Sequence, residues 1–67
     1  MTRFLITKVE REDRTLTMFV NPEFVAKYIL TMTTPEGKIE ERWFSRKNAF
    51  DRFRELAQEN KFLEGIS

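Results

Sequence analysis

The chain has 67 residues, 12 basic and 11 acidic side chains, a formal net charge of +1, and neither Cys nor His. Its length holds a single domain, residues 1–67. The missing thiols and imidazoles exclude nucleophile–base pairs built on either, and the near balance of charge argues weakly against a polyanion partner. Seven Phe, one Trp and one Tyr within a 40% hydrophobic content supply enough apolar area for a compact core.

Absence of Cys suits a reducing cytoplasm, where disulfides would not persist. The amino-terminal apolar run Phe4-Leu5-Ile6 is shorter than the central region of a signal peptide, and no later run is longer. The expectation is a cytoplasmic protein that makes no membrane contact.

In chain order, "FLITKVE" alternates Leu5, Thr7, Val9 with Phe4, Ile6, Lys8, the period-two pattern of a half-buried strand. Polar "REDR" turns the chain in a loop that lacks Gly and is expected to exceed two residues. "TLTMFV" alternates again and completes a first hairpin. Asn21-Pro22 interrupts, because Pro22 has no amide hydrogen and forces Asn21 out of the helical region. "EFVAKYILTMT" then reads as the longest strand, from Phe24 onward. "TPEGK" places Pro35 and Gly37 as in a type I turn with a glycine bulge, closing a second hairpin.

If Thr34 faces Lys38 across that turn, Tyr28 lies opposite Phe44, Leu30 opposite Arg42 and Met32 opposite Glu40. Trp43 then shares the other face with Ile29, and a one-residue slip exchanges the faces. Ser45 is a helix cap, followed by Ala49, Phe50, Phe53, Leu56 and Ala57 at helical spacing up to Asn60, whose type suits the left-handed end of a helix. Phe62, Leu63 and Ile66 return apolar groups to the core. The fold class is α+β: a small antiparallel sheet of two consecutive hairpins, about four strands, packed against one C-terminal helix.

Candidate chemistry is sparse. Ser45 has no base beside it and is better explained as a cap. Glu40 and Glu41 point to opposite faces of a strand, which is wrong for two acids sharing a substrate. In "EREDR" the interleaved Arg cancel the charge a hard cation needs, and two Gly cannot build a phosphate-cradling loop. No enzyme, metal or cofactor is expected.

Residues 42–54 carry Arg42, Arg46, Lys47, Arg52 and Arg54 against Asp51 alone. Arg46 and Lys47 occupy a first helical turn, where the helix dipole disfavours cations by about 0.3–1 kcal/mol. A bound phosphate would offset that cost, with Arg42 reaching in from the preceding strand. Pairs of Asp51 with Lys47 or Arg54, and of Arg52 with Glu55, would instead consume much of the excess at the surface.

The stretch from Tyr28, with its "PEGK" turn, the strand ending "RWFS" and "RKNA" opening a helix, resembles the arm-type DNA-binding domain of tyrosine recombinases over residues 28–53. That resemblance implies a sheet that reads the major groove through strand side chains, and it assigns contact to Lys27, Lys38, Arg42 and Trp43. The expected function is a non-catalytic binding module of a nucleic-acid-associated accessory or regulatory kind, gripping phosphate at Arg42, Trp43, Arg46 and Lys47. The alternative is a protein-binding adaptor or inhibitor whose sheet face bears Trp43, Ile29 and Val25, with self-association through that face as a variant.

Overall fold

The computed structural model describes residues 3–62. Four strands, β1 (Phe4–Arg11), β2 (Arg14–Val20), β3 (Tyr28–Thr34) and β4 (Gly37–Trp43), precede one helix, α1 (Arg46–Glu59). The strands form an antiparallel sheet in the order β1-β2-β3-β4. The α+β meander expected from the alternating segments is therefore the architecture found, with α1 lying across β2, β3 and β4 on one face.

Period-two alternation sends Leu16, Met18, Leu30 and Met32 toward the helix, where they meet Ala49, Leu56, Ala57 and Phe62. All eight are buried, and each large side chain removed from water stabilises the fold by about 1.5–3 kcal/mol. At Leu5/Thr7 the β1–β2 register slips by one residue. This bulge turns two successive side chains inward: Ile6 packs on the Met18–Leu30 cluster, and Thr7 lines a cleft beside Phe50 and Phe53.

Both hairpin turns are tighter than expected. Arg11 pairs with Arg14, so Glu12-Asp13 is a two-residue connection despite its lack of Gly. Arg14 clamps it by binding Asp13 and donating through Nη1 to the Asn60 carbonyl at 2.8 Å. At the second turn Thr34 pairs with Gly37, not Lys38. Gly37 takes φ +147°, which an L side chain rarely adopts, and this lets the strand start immediately after Pro35-Glu36. The consequence is a one-residue shift along all of β4: Tyr28 faces Trp43, Leu30 faces Glu41 and Met32 faces Ile39.

The third strand begins at Tyr28, four residues later than Phe24. Asn21, almost fully buried, holds the intervening loop closed. Its side chain accepts from the Glu23 amide at 3.0 Å, its own amide donates to the Lys27 carbonyl at 2.7 Å, and its carbonyl accepts from Phe24. These bonds satisfy backbone groups that would otherwise have entered the ladder, so Asn-Pro makes a closed loop here and not a bend in a longer strand.

Ser45 caps α1 by accepting from the Asn48 amide at 3.4 Å. At the far end the left-handed residue is Lys61 (φ 62°), one position beyond Asn60, which has φ −107°. The Phe62 amide donates to the Ala57 carbonyl and the Lys61 amide to Gln58, the paired bonds of a Schellman turn, while Phe62 packs against Ala57. Asn60 contributes differently, donating through Nδ2 to the Leu56 carbonyl at 2.9 Å. Lys61 sits where glycine is the unstrained choice. Lys61→Gly is expected to stabilise the domain by about 0.5–1 kcal/mol, raising the thermal midpoint by several degrees in a circular-dichroism melt. Leu63 and Ile66, expected to pack on the core, lie outside the described residues.

Candidate functional site

Alternation and the shifted register divide the candidate residues between two faces. Arg42 and Lys38 stand on the face away from the helix, while Trp43 stands on the helix side with Tyr28 and Leu30. The corner of Arg42, Trp43, Arg46 and Lys47 expected to converge on one anion is therefore not assembled: Arg42 points away from the helix entrance. A hot spot of Trp43, Ile29 and Val25 is not assembled either. Ile29 lies on the opposite face from Trp43 and is 1% exposed, whereas Val25 is 81% exposed in the loop.

The helix entrance is partly relieved by its neighbours. No acidic residue occupies the first turn, as the sequence shows. Lys47, however, pairs with Asp51 one turn on (Nζ–Oδ2 3.0 Å), and the Arg46 guanidinium stands 5.4 Å over the Phe50 ring. Such contacts offset a dipole penalty of about 0.3–1 kcal/mol without any ligand.

Trp43 belongs to a network of which the sequence showed only the Arg52–Glu55 pair. Arg52 grips Glu41 with two parallel bonds, Nε to Oε1 and Nη2 to Oε2, both 2.9 Å. Glu41 Oε1 also accepts from the Trp43 indole at 3.2 Å, and Arg52 reaches Glu55. Glu41 lies two residues before Trp43 and so shares its face, which is the signal that could have found it. The Arg52 hydrogen bonds hold the Glu41 carboxyl below its ordinary pKa, with a smaller contribution from Trp43, and the Arg52 pKa is raised in turn. Beside this network is a cleft of about 340 Å³ lined by Trp43, Asn48, Asp51, Arg52 and Glu55.

A depressed pKa means that the unfolded chain binds the Glu41 proton more readily than the folded one. Its stabilisation is complete above the ordinary glutamate value and is lost as pH falls through the lower folded value. Glu41→Gln should cost about 1–3 kcal/mol at pH 7. It should also cost less at pH 3 than at pH 7, measured as urea midpoints. Glu10 and Asp13, lowered by hydrogen bonds from Lys8 and Arg14, add acid sensitivity that the variant retains.

The face away from α1 carries the other group of charges. One row across the sheet reads Leu5–Phe19–Ile29–Arg42. The Arg3 guanidinium stands 4.5 Å over the Phe19 ring, and the Arg42 guanidinium 4.7 Å over Phe24, which the closed loop delivers. The two cation–ring pairs flank Ile29, which is buried on a face without a helix among the described residues. Farther along, Thr15 pairs with Thr33 and Thr17 with Thr31, while Lys8 and Glu10 edge one side and Lys38, Glu40 and Arg42 the other. Glu10 holds Lys8 at 2.7 Å and Glu40 holds Arg42 at 3.3 Å. Arg3 was not among the candidates, since only the ring contact places it on this face. Lys27 ends the loop half-buried, and its carbonyl closes the bond to Asn21.

Among the described residues no three acidic side chains converge as a metal site, and no helix is long and apolar enough to cross a membrane. Compared with known proteins, the chain matches no family, no curated protein and no solved structure.

Proposed function

We propose that the chain is a non-catalytic, nucleic-acid-associated binding module that receives the phosphate backbone on the uncovered face of its sheet. The observation that carries this reading is the pair of guanidinium groups, Arg3 and Arg42, held over aromatic rings along one row. An aromatic support restrains a flexible side chain before it binds, and it leaves guanidinium donors for phosphate oxygens, although one Arg42 amino group is shared with Glu40 at 3.3 Å. Lys38 adds a cation on the same face without a carboxylate partner among the described residues. Against Glu10 and Glu40, the face carries Arg3, Lys8, Lys38 and Arg42, four cations to two acids.

This reading moves the contact from the helix entrance to the sheet. Of the candidates named from sequence it retains Arg42 and Lys38 and adds Arg3. Trp43, turned to the helix side and bound to Glu41, serves packing. The threonine pairs give the face short hydroxyl donors and acceptors that suit a sugar–phosphate surface.

The test is fluorescence anisotropy of labelled duplex and single-stranded oligonucleotides at low and moderate salt. Two or three phosphate contacts predict roughly a tenfold or larger loss of affinity between about 50 and 200 mM salt. Failure of both oligonucleotides to bind at the lower salt would remove the proposal.

A further inference from the structure

The helix covers only part of its side of the sheet. Four strands span roughly 19 Å at their usual spacing, and one helix with its side chains covers about 10–12 Å. Here α1 packs on β2, β3 and β4 and stops short of β1. A groove of about 360 Å³ remains between β1 and the helix, lined by Thr7, Val9, Phe50, Phe53, Arg54 and Ala57, with Gln58 at its rim. Val9 and Phe53 are half-buried extensions of the main core, so the apolar interior reaches the surface here.

Among the described residues that line this groove the one charged side chain is basic, and two more cations stand near it. Arg54 lines it, Arg46 stands over the lining ring Phe50, and Arg11 ends β1 on the face it shares with Val9. None of the three pairs with a carboxylate among the described residues. The Arg11 side chain donates to the Glu10 carbonyl, whereas Lys8, Arg14, Arg42, Lys47 and Arg52 each have an acidic partner. An apolar floor with unpaired cations around it repels another basic surface and is best complemented by a partner that is both apolar and acidic.

We infer that this groove is the docking site for an amphipathic helix of a protein partner, one with an apolar stripe and acidic flanks. With α1 packed chiefly on β3, β1 lies about 10 Å away at the usual strand spacing, so a helix packed on α1 at the usual 8–10 Å interaxial separation would run along β1. The apolar stripe would lie on Val9, Phe50, Phe53 and Ala57, and acidic side chains on either flank would meet Arg11, Arg46 and Arg54. This site is on the opposite face from the proposed phosphate contact and stands independently of it. Arg46 at the helix start thereby acquires a use: it borders a groove instead of capping an anion.

The experiment is a nuclear magnetic resonance titration of the full isotope-labelled chain with two synthetic helical peptides of about four turns. Both carry the same leucine stripe; one has glutamate flanks and the other lysine flanks. The expected result is binding of the glutamate peptide with shifts centred on Thr7, Val9, Phe53 and Ala57. The glutamate peptide should bind about tenfold or more tightly than the lysine peptide, a preference that added salt weakens. Arg46→Glu/Arg54→Glu, two exposed changes compatible with folding, should reverse it. Equal affinity for the two peptides, no binding of either, or shifts confined to the other sheet face would overturn the assignment. So would displacement of the peptide by an oligonucleotide, self-association through these residues without peptide, or binding seen only after deletion of residues beyond Phe62.

Discussion

Replacing Phe62 with Ala is expected to unfold a large fraction of the molecules at 25 °C. Phe62 is 0% exposed and packs with Leu16, Met32, Leu56 and Ala57, closing the end of the core where α1 stops. Truncating a buried Phe to Ala costs about 3–5 kcal/mol, because the lost transfer energy is joined by a cavity that neighbours only partly fill. A single core in a chain of fewer than about 70–80 residues rarely supplies more than about 3–5 kcal/mol of stability. One substitution therefore consumes much or all of it. The Schellman bonds would be weakened in the same step, since the Phe62 amide is placed by the side chain that anchors it. Urea denaturation followed by circular dichroism measures the effect, with Phe62→Leu as the control that keeps most of the volume and should lose far less. A midpoint for Phe62→Ala within error of wild type would mean that Phe62 does not close the core.

The second large effect is expected in oligonucleotide binding when Arg3→Glu and Arg42→Glu are combined. Both side chains are exposed and lie over rings, Phe19 and Phe24. Each such contact is worth about 0.5–1 kcal/mol at an exposed site, so the double variant should still fold. Its affinity should fall by tenfold or more, and its salt dependence should flatten by about two phosphate contacts. The matched variant Arg46→Ala/Lys47→Ala probes the helix entrance, where Lys47 is held by Asp51 and Arg46 by Phe50. It should change affinity little. The opposite ranking of the two variants would return the contact to the helix entrance and remove the sheet face from consideration.

Much of the architecture was legible because it depends on local periodicity. Alternating segments marked β1 and β2, and the Pro35-Glu36-Gly37 signal marked the second turn. Ser45 followed by apolar residues at helical spacing marked α1 nearly to its last residue. The pairing of Lys47 with Asp51, and of Arg52 with Glu55, also followed from helix geometry. The candidate site was less legible. Its charged residues were visible, but their grouping depended on the turn between β3 and β4. Arg3 could not be placed at all, because its position rests on a contact with a ring 16 residues away in sequence.

By itself, the sequence determined the elements and their order, the helix cap, and a chemical inventory without thiol or imidazole. Period, propensity and residue type act over a few neighbouring positions and need no partner from elsewhere in the chain. Only the tertiary structure decided which face each β4 residue occupies, since pairing Thr34 with Gly37 in place of Lys38 rotates every side chain of that strand to the other side. It also decided that Asn21 closes a loop, that Glu41 holds Arg52 and Trp43 together, and that the helix backbone stops short of β1. Each of these depends on how distant segments meet, which a single turn residue or one buried side chain can redirect without altering the local pattern.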